Sequence, residues 1–98
     1  MNLTGLQKKI FEYQKSGDAE RLSVLRFLLA SLKNREIELR VGGQEISKED
    51  VIKIINKQMK QRKESVEIYQ KGGRDDLSQK EGKELVILEE FLKYAESL

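Results

Sequence analysis

The feature that most constrains the fold is a helical period of apolar residues that only glycines interrupt. The chain contains no proline, and Gly17, Gly42–Gly43 and Gly72–Gly73 separate four segments with this period. Glycine readily takes the left-handed backbone at which helices end, so these positions predict turns. Short connections place consecutive helices side by side in opposite directions. The sequence therefore predicts an all-α fold, an antiparallel bundle of about four helices, in a single domain covering residues 1–98.

The second helix is predicted to be the longest and to lie at the centre of the bundle. The predicted helices cover about Leu3–Ser16, Asp18–Arg40, Ser47 to near Gly72, and Asp75–Tyr94. Along the second helix a leucine stripe forms one side, while Val24 and Phe27 lie on another. A helix that is apolar on two sides packs against neighbours on both, so Val24 and Phe27 are expected to be buried.

Two positions give more local predictions. Ser47 is placed to cap the third helix with Asp50 as the reciprocal acid, and Ile46 and Val51 are spaced as a hydrophobic staple. Gly82 lies inside the fourth helix, where glycine costs about 1 kcal/mol relative to alanine. We therefore expect another helix to come close to Gly82.

The composition excludes several kinds of chemistry. The 98 residues include no cysteine and no histidine, so thiol nucleophiles, thiolate metal sites and the usual general base at neutral pH are absent. No cofactor and no metal ion are predicted, and a catalytic role for this chain alone ranks last among the hypotheses. No apolar run approaches the ~20 residues that cross a bilayer, and Met1–Lys9 does not resemble a targeting segment. The expected location is the cytoplasm, without membrane contact.

The third helix carries a basic stretch that predicts RNA contact. Between Val51 and Lys63 there are five basic residues and no acid, namely Lys53, Lys57, Lys60, Arg62 and Lys63. The first three share a face about 200° from Val51, and such a row of lysines can follow a phosphate backbone. The alternative is a solvated face with no partner. The fourth helix has an excess of acids, which would partly neutralise this field if the two helices are neighbours.

Arg62 differs from the lysines because its helical angle returns to that of Val51. Its stem is therefore predicted to lie on the buried stripe, as is Glu36 among the leucines of the second helix. We expect Arg62 and Glu36 to be partly buried and to form a structural ion pair across the helix interface.

Two segments carry a family resemblance. Residues 21–26, RLSVLR, run on to LKNREI at 32–37, and a second stretch runs from KQRKES at 60–65 through Tyr69 and GRDDL at 73–77 to LEEFL at 88–92. Their order and spacing resemble the GatB/YqeY family over about three-quarters of the chain. The family normally continues into a smaller C-terminal helical domain. Here Lys93 stands where the family has proline, so the chain is expected to be the N-terminal helical domain alone, either a fragment or a short member.

The resemblance implies a function linked to tRNA. GatB is the B subunit of the tRNA-dependent amidotransferase, a carbon–nitrogen ligase that uses glutamine as amido donor, and its helical region helps to hold tRNA while the chemistry occurs elsewhere. The implied role is a non-catalytic auxiliary module whose partners are tRNA and amidotransferase subunits, and the resemblance adds Arg74 to the candidate RNA-facing residues. The competing hypothesis is a helical module that docks another protein, with no RNA involved. Salt dependence of binding separates the two.

Overall fold

The computed structural model describes residues 1–98, which form four α-helices and no strand. Helix α1 covers Thr4–Ser16, α2 covers Ala19–Val41, α3 covers Lys48–Lys71 and α4 covers Asp75–Glu96. The all-α prediction is confirmed. Helix α3, at 24 residues, exceeds α2 by one, so α2 is not the longest helix.

Helices α3 and α4 form a closely packed hairpin whose members run in opposite directions. Near the start of α3, the Lys48 ammonium donates to the backbone oxygen of Glu96 at the end of α4. Farther along α3, the Arg62 guanidinium donates to Glu81, near the start of α4. Residues early in α3 thus lie beside residues late in α4, so the two helices are antiparallel. The Gly72–Gly73 turn connects them. This hairpin fixes which residues of α3 are free to face solvent.

Helix α2 lies against all three other helices, which agrees with its predicted central place. Its second apolar side is only half buried, however. Val24 is 2% exposed, whereas Phe27 is 58% exposed, so the expected burial of Phe27 is wrong. No helix covers this position, and the aromatic ring remains at the protein surface.

The core combines residues of all four helices with Ile46 from the α2–α3 connection. Its largest fully buried side chains are Leu25, Leu28, Leu32, Ile46, Ile55 and Leu88. Helix α1 adds Leu6 and Ile10 to this core, and it also contacts α4 through Tyr94, whose ring lies 4.7 Å from the Lys9 ammonium. Along α3 the buried residues recur with the helical period on one side, so the opposite face of that helix is exposed to solvent.

The start of α3 is fixed by the predicted capping box. Ser47 Oγ accepts from the backbone amide of Asp50 at 3.1 Å, and the Ser47 amide donates to the Asp50 carboxylate at 2.9 Å. These bonds from Ser47, first from its backbone and then from its hydroxyl, hold the pKa of Asp50 below its ordinary value. Ile46 and Val51 are both buried, as the staple requires.

Carboxylates also lie at the starts of α2 and α4. The Asp18 carboxylate caps α2 and accepts from the Arg21 guanidinium at 2.8 Å, and this bond lowers the pKa of Asp18. Arg21 also reaches Glu90 of α4 at 3.0 Å, and its two carboxylate partners raise the pKa of its guanidinium. At the start of α4 the pKa of Asp76 is lowered by its bond to the Arg74 side chain.

Gly82 does not mark a close approach of helices. A β-carbon placed at Gly82 would have no other atom within 4 Å, so the expectation that a neighbour comes close is wrong. The tight position is Gly5 on α1, where such a carbon would lie 3.1 Å from the Tyr94 hydroxyl. Gly17 ends α1 with a φ of 76°, in the left-handed region, as predicted.

None of the four helices is long and apolar enough to cross a bilayer.

Candidate nucleic-acid interface on helix α3

Three lysines form a row on the outer face of α3. Lys53, Lys57 and Lys60 are all exposed, and none takes part in an ion pair. They cover about 10 Å along the helix axis and lie opposite the buried stripe that begins at Val51. We call these three residues the lysine row. Because their ammonium groups are not engaged within the protein, they are available to an external anion.

Lys63 is also exposed but is rotated by roughly 90° around the helix from the mean direction of the three lysines of the row. It therefore lies beside the lysine row rather than in line with it. Arg74 lies at the opposite end of the hairpin, in the turn before α4, and pairs with Asp76 at 3.3 Å while remaining 60% exposed. The structure thus does not gather all six predicted basic residues on one surface.

Arg62 points into the α3–α4 interface. Its guanidinium donates to Glu81 at 3.1 Å and also to Glu84, and its side chain is only 17% exposed. Glu81 and Glu84 are three residues apart on α4, so they share a helical face and hold the cation between them. Arg62 Nε is buried and has no hydrogen-bond partner. The predicted partial burial of Arg62 is correct, and its charge is balanced within the hairpin.

The predicted pairing of Arg62 with Glu36 is wrong. Glu36 is partly buried, with 28% of its side chain exposed, but it accepts from Arg40 one helical turn later at 3.4 Å. The apolar period of α2 correctly places Glu36 at the edge of the core. It does not show that α4, rather than α2, supplies the acids opposite Arg62.

A polar groove lies where α2 and α3 meet, next to the lysine row. It encloses about 370 Å³ and is lined by nine residues, of which only Phe27 and Ile54 are apolar. Lys57 belongs to both the lysine row and the groove. At one end, Glu38 is neutralised by Arg35 at 3.1 Å. The groove therefore presents hydrogen-bonding groups next to apolar surface.

Gln58 is the residue of this groove that sequence reasoning missed. It is only 6% exposed, and its Nε2 donates to Ser31 Oγ at 3.0 Å, while its Oε1 has no partner. Leaving a buried acceptor unpaired costs about 1–3 kcal/mol. Exchanging the two ends of the amide would leave the nitrogen unpaired instead. The signal was present in the sequence, because Gln58 falls within about 20° of Val51 on the buried stripe.

The chain holds no group of three or more acidic, cysteine or histidine residues placed to bind a metal ion.

Fold and surface together define a small helical module with one basic face. The family model described as Yqey-like protein matches residues 3–95. The chain therefore belongs to the YqeY-like protein family, as the two sequence segments indicated.

Curated relatives extend the comparison to yeasts. The "Altered inheritance of mitochondria protein 41, mitochondrial" of Eremothecium gossypii is 31% identical over 90 residues, which cover 92% of this chain and 48% of that protein. The protein of the same name from Clavispora lusitaniae is 38% identical over 76 residues, covering 78% of this chain and 41% of that protein. The chain spans about half the length of these relatives.

The names of these relatives describe mitochondrial proteins. They contradict the cytoplasmic location expected from the sequence. That expectation depended on the absence of a recognisable targeting segment near Met1, which does not establish where a protein works.

Proposed function

We propose that this chain is a non-catalytic helical module that contacts tRNA through the lysine row, in an auxiliary role related to tRNA-dependent amidotransferases. Such enzymes are carbon–nitrogen ligases that use glutamine as amido donor, and no step of that chemistry is assigned to this chain. The observation that carries the proposal is the row itself, which consists of three exposed and unpaired lysines on one rigid helix. A partner whose negative charges repeat along a line matches this arrangement.

The alignment of three lysines on one face of α3, rather than their lack of ion pairs, favours this proposal over a merely solvated basic face. Arg62 is matched by two acids of α4, and Arg21 and Arg74 each have acidic partners. The lysine row has none, and neither does any other lysine of the chain pair with an acidic side chain. In this proposal Lys53, Lys57 and Lys60 contact phosphates and Lys63 supports them from the side. Arg62 and Arg74 instead form ion pairs within the α3–α4 hairpin.

The test is a titration of labelled bulk tRNA with this protein, followed by fluorescence anisotropy at about 50 and about 200 mM salt. We expect saturable binding that weakens as salt rises. The Lys53/Lys57/Lys60→Gln variant should bind far more weakly, and its log–log salt slope should be smaller by about one for each lysine removed.

The matched control is Lys80/Lys83/Lys93→Gln, which removes the same charge from three exposed lysines of α4. It should retain most of the affinity and the salt slope. Equal losses in the two variants would show a net-charge effect and would contradict a specific role for the row.

The competing function is a module that docks a protein. Absence of tRNA binding at low salt would favour it. Pull-down of an amidotransferase subunit that persists at high salt would then point to apolar docking, because phosphate contacts are lost under those conditions.

A further inference from the structure

The α2–α3 groove is lined by a buried glutamine whose side-chain oxygen accepts no hydrogen bond. Gln58 lines it, is more than nine-tenths buried, and leaves one end of its amide without a partner. Buried amides in folded proteins are almost always satisfied, so this group requires a partner from outside the chain, either water or a ligand. The terminal torsion of a glutamine is broad, so the Gln58 amide can exchange its bond to Ser31 for bonds to a ligand in the groove.

Phe27 supplies a flat apolar face at the same place. It lines this groove and the adjoining recess near Arg62, and 58% of its surface is exposed. Side chains with the spacing of one helical face continue from it along α2 to Ser31 and Asn34. An exposed ring beside hydroxyl and amide groups offers both an apolar face and hydrogen-bonding partners, which is the combination that a base requires.

We infer that the α2–α3 groove accepts a single unstacked nucleobase of the bound RNA, with Phe27 as the stacking face and Gln58 as a hydrogen-bonding partner. Aromatic rings stack on unpaired bases of any kind, and amide side chains match the donor and acceptor edges of bases. Asn34 and Gln61, which also line the groove, add two further amides.

This inference rests on the proposed function, because Lys57 connects the two surfaces. It lies in the middle of the lysine row and at the edge of the groove. A strand whose phosphates follow the row therefore passes the mouth of the groove, within reach of a base that leaves the stack.

The test compares two single-stranded oligonucleotides of equal length and phosphate number, one of uridines and one entirely abasic. Binding of each to the full chain is measured by anisotropy over a range of salt. The wild-type protein should prefer the uridine strand by about fivefold or more, which is the lower end of the range for stacking of one base on an aromatic side chain. The salt slopes for the two strands should be similar.

Two variants locate the effect. Phe27→Leu removes the ring from an exposed position, and Gln58→Met removes the amide at similar volume. Each should reduce the preference for uridine over abasic strand while leaving the salt slope unchanged. The control is Phe11→Leu, which removes a ring that is 56% exposed on α1, away from the groove, and it should keep the preference.

The outcomes separate the two proposals. If both strands bind equally and with the same salt slope, the base site is wrong and the lysine row remains supported. Retention of the preference in Phe27→Leu would also overturn the base site, and this variant keeps the test valid if Gln58→Met fails to fold. If neither strand binds at low salt, the proposed function is wrong and this inference fails with it.

Discussion

Arg62 shows how one side chain can resemble a ligand-binding residue in sequence and serve the fold in the structure. It lies within the basic stretch of α3, yet it is directed at Glu81 and Glu84 of α4. A charged group so placed is balanced only while its partners remain, because removal of one member leaves a poorly solvated charge behind.

We predict that Arg62→Met lowers the free energy of unfolding by about 2 kcal/mol, since two neighbouring carboxylates would then repel each other without a cation. Glu81→Gln alone should cost less, because Arg62 keeps Glu84. Urea denaturation followed by circular dichroism measures both changes.

The combined variant Arg62→Met/Glu81→Gln/Glu84→Gln serves as the control. It should recover most of the lost stability, because no unpaired charge remains in the interface. An Arg62→Met protein as stable as the wild type would show that the ion pair contributes nothing.

The angular position of Arg62 could be read from the sequence, whereas its partners could not. Helical period fixes the side of α3 on which a residue lies, and the partial burial of Arg62 and Glu36 followed from that. The choice between Glu36 and the acids of α4 depends on how two helices slide and turn against each other. Gln58 is a comparable case. Its position on the buried side of α3 could be read from the sequence, but the lack of a hydrogen-bond partner for its amide oxygen could not.

At the scale of single helices, the sequence predicted the ends of the helices accurately. It predicted less well which residues in the middle of a helix are covered by a neighbour. Glycine turns and the Ser47 capping box marked the boundaries within one or two residues. The second apolar side of α2 was misjudged, because a helical period shows which residues share a face but not whether a neighbour covers it. Phe27 is exposed and Gly82 faces open space for this same reason.

Gly82 gives a prediction at this scale. Gly82→Ala should raise the free energy of unfolding by about 0.5–1 kcal/mol, because alanine loses less backbone entropy in a helix and its β-carbon meets no other atom. For a domain of this size, that gain corresponds to several degrees in the midpoint of thermal unfolding.

Gly5→Ala is the contrasting variant. Its β-carbon would lie 3.1 Å from the Tyr94 hydroxyl, so the ring must shift before alanine is accommodated. It should gain less than Gly82→Ala in the same thermal scan. If Gly82→Ala lowers the midpoint, α4 must be in closer contact with another part of the chain than the structure shows.

Across the whole molecule, three of the four helices begin with a carboxylate whose pKa is lowered in the folded state: Asp18 at α2, Asp50 at α3 and Asp76 at α4. A lowered pKa means that the folded protein holds these protons less tightly than the unfolded chain does. Their contribution is therefore present above the ordinary value of 3.8 and is lost as the pH falls through the folded values.

We predict that thermal stability is steady near neutral pH and declines from about pH 5 downward. Circular dichroism melts at about pH 7, 5 and 3 measure this decline. Asp50→Asn should be less stable than the wild type at pH 7, and the difference should shrink as the pH falls below the ordinary value of 3.8, because the unfolded chain then binds a proton at Asp50 more readily than the folded protein does. A constant difference across the range would mean that the charge of Asp50 does not act in the cap.

At this scale the sequence correctly indicated the family and the all-α class. The helical domain over residues 1–98 without the smaller C-terminal domain stays a prediction. The tRNA role depends on the lysine row, whose exposure the helical period indicated and whose freedom from ion pairs only the assembled hairpin could reveal.

The separation of charge across the α3–α4 hairpin has a consequence for motion in solution. Helix α3 turns its lysine row outward, while α4 exposes more acids than lysines. Such a molecule carries a lasting electric dipole across its width. Near a polyanion it experiences a torque that turns α3 toward the surface and α4 away. The protein would thus be oriented before first contact, and a larger share of its collisions would be productive.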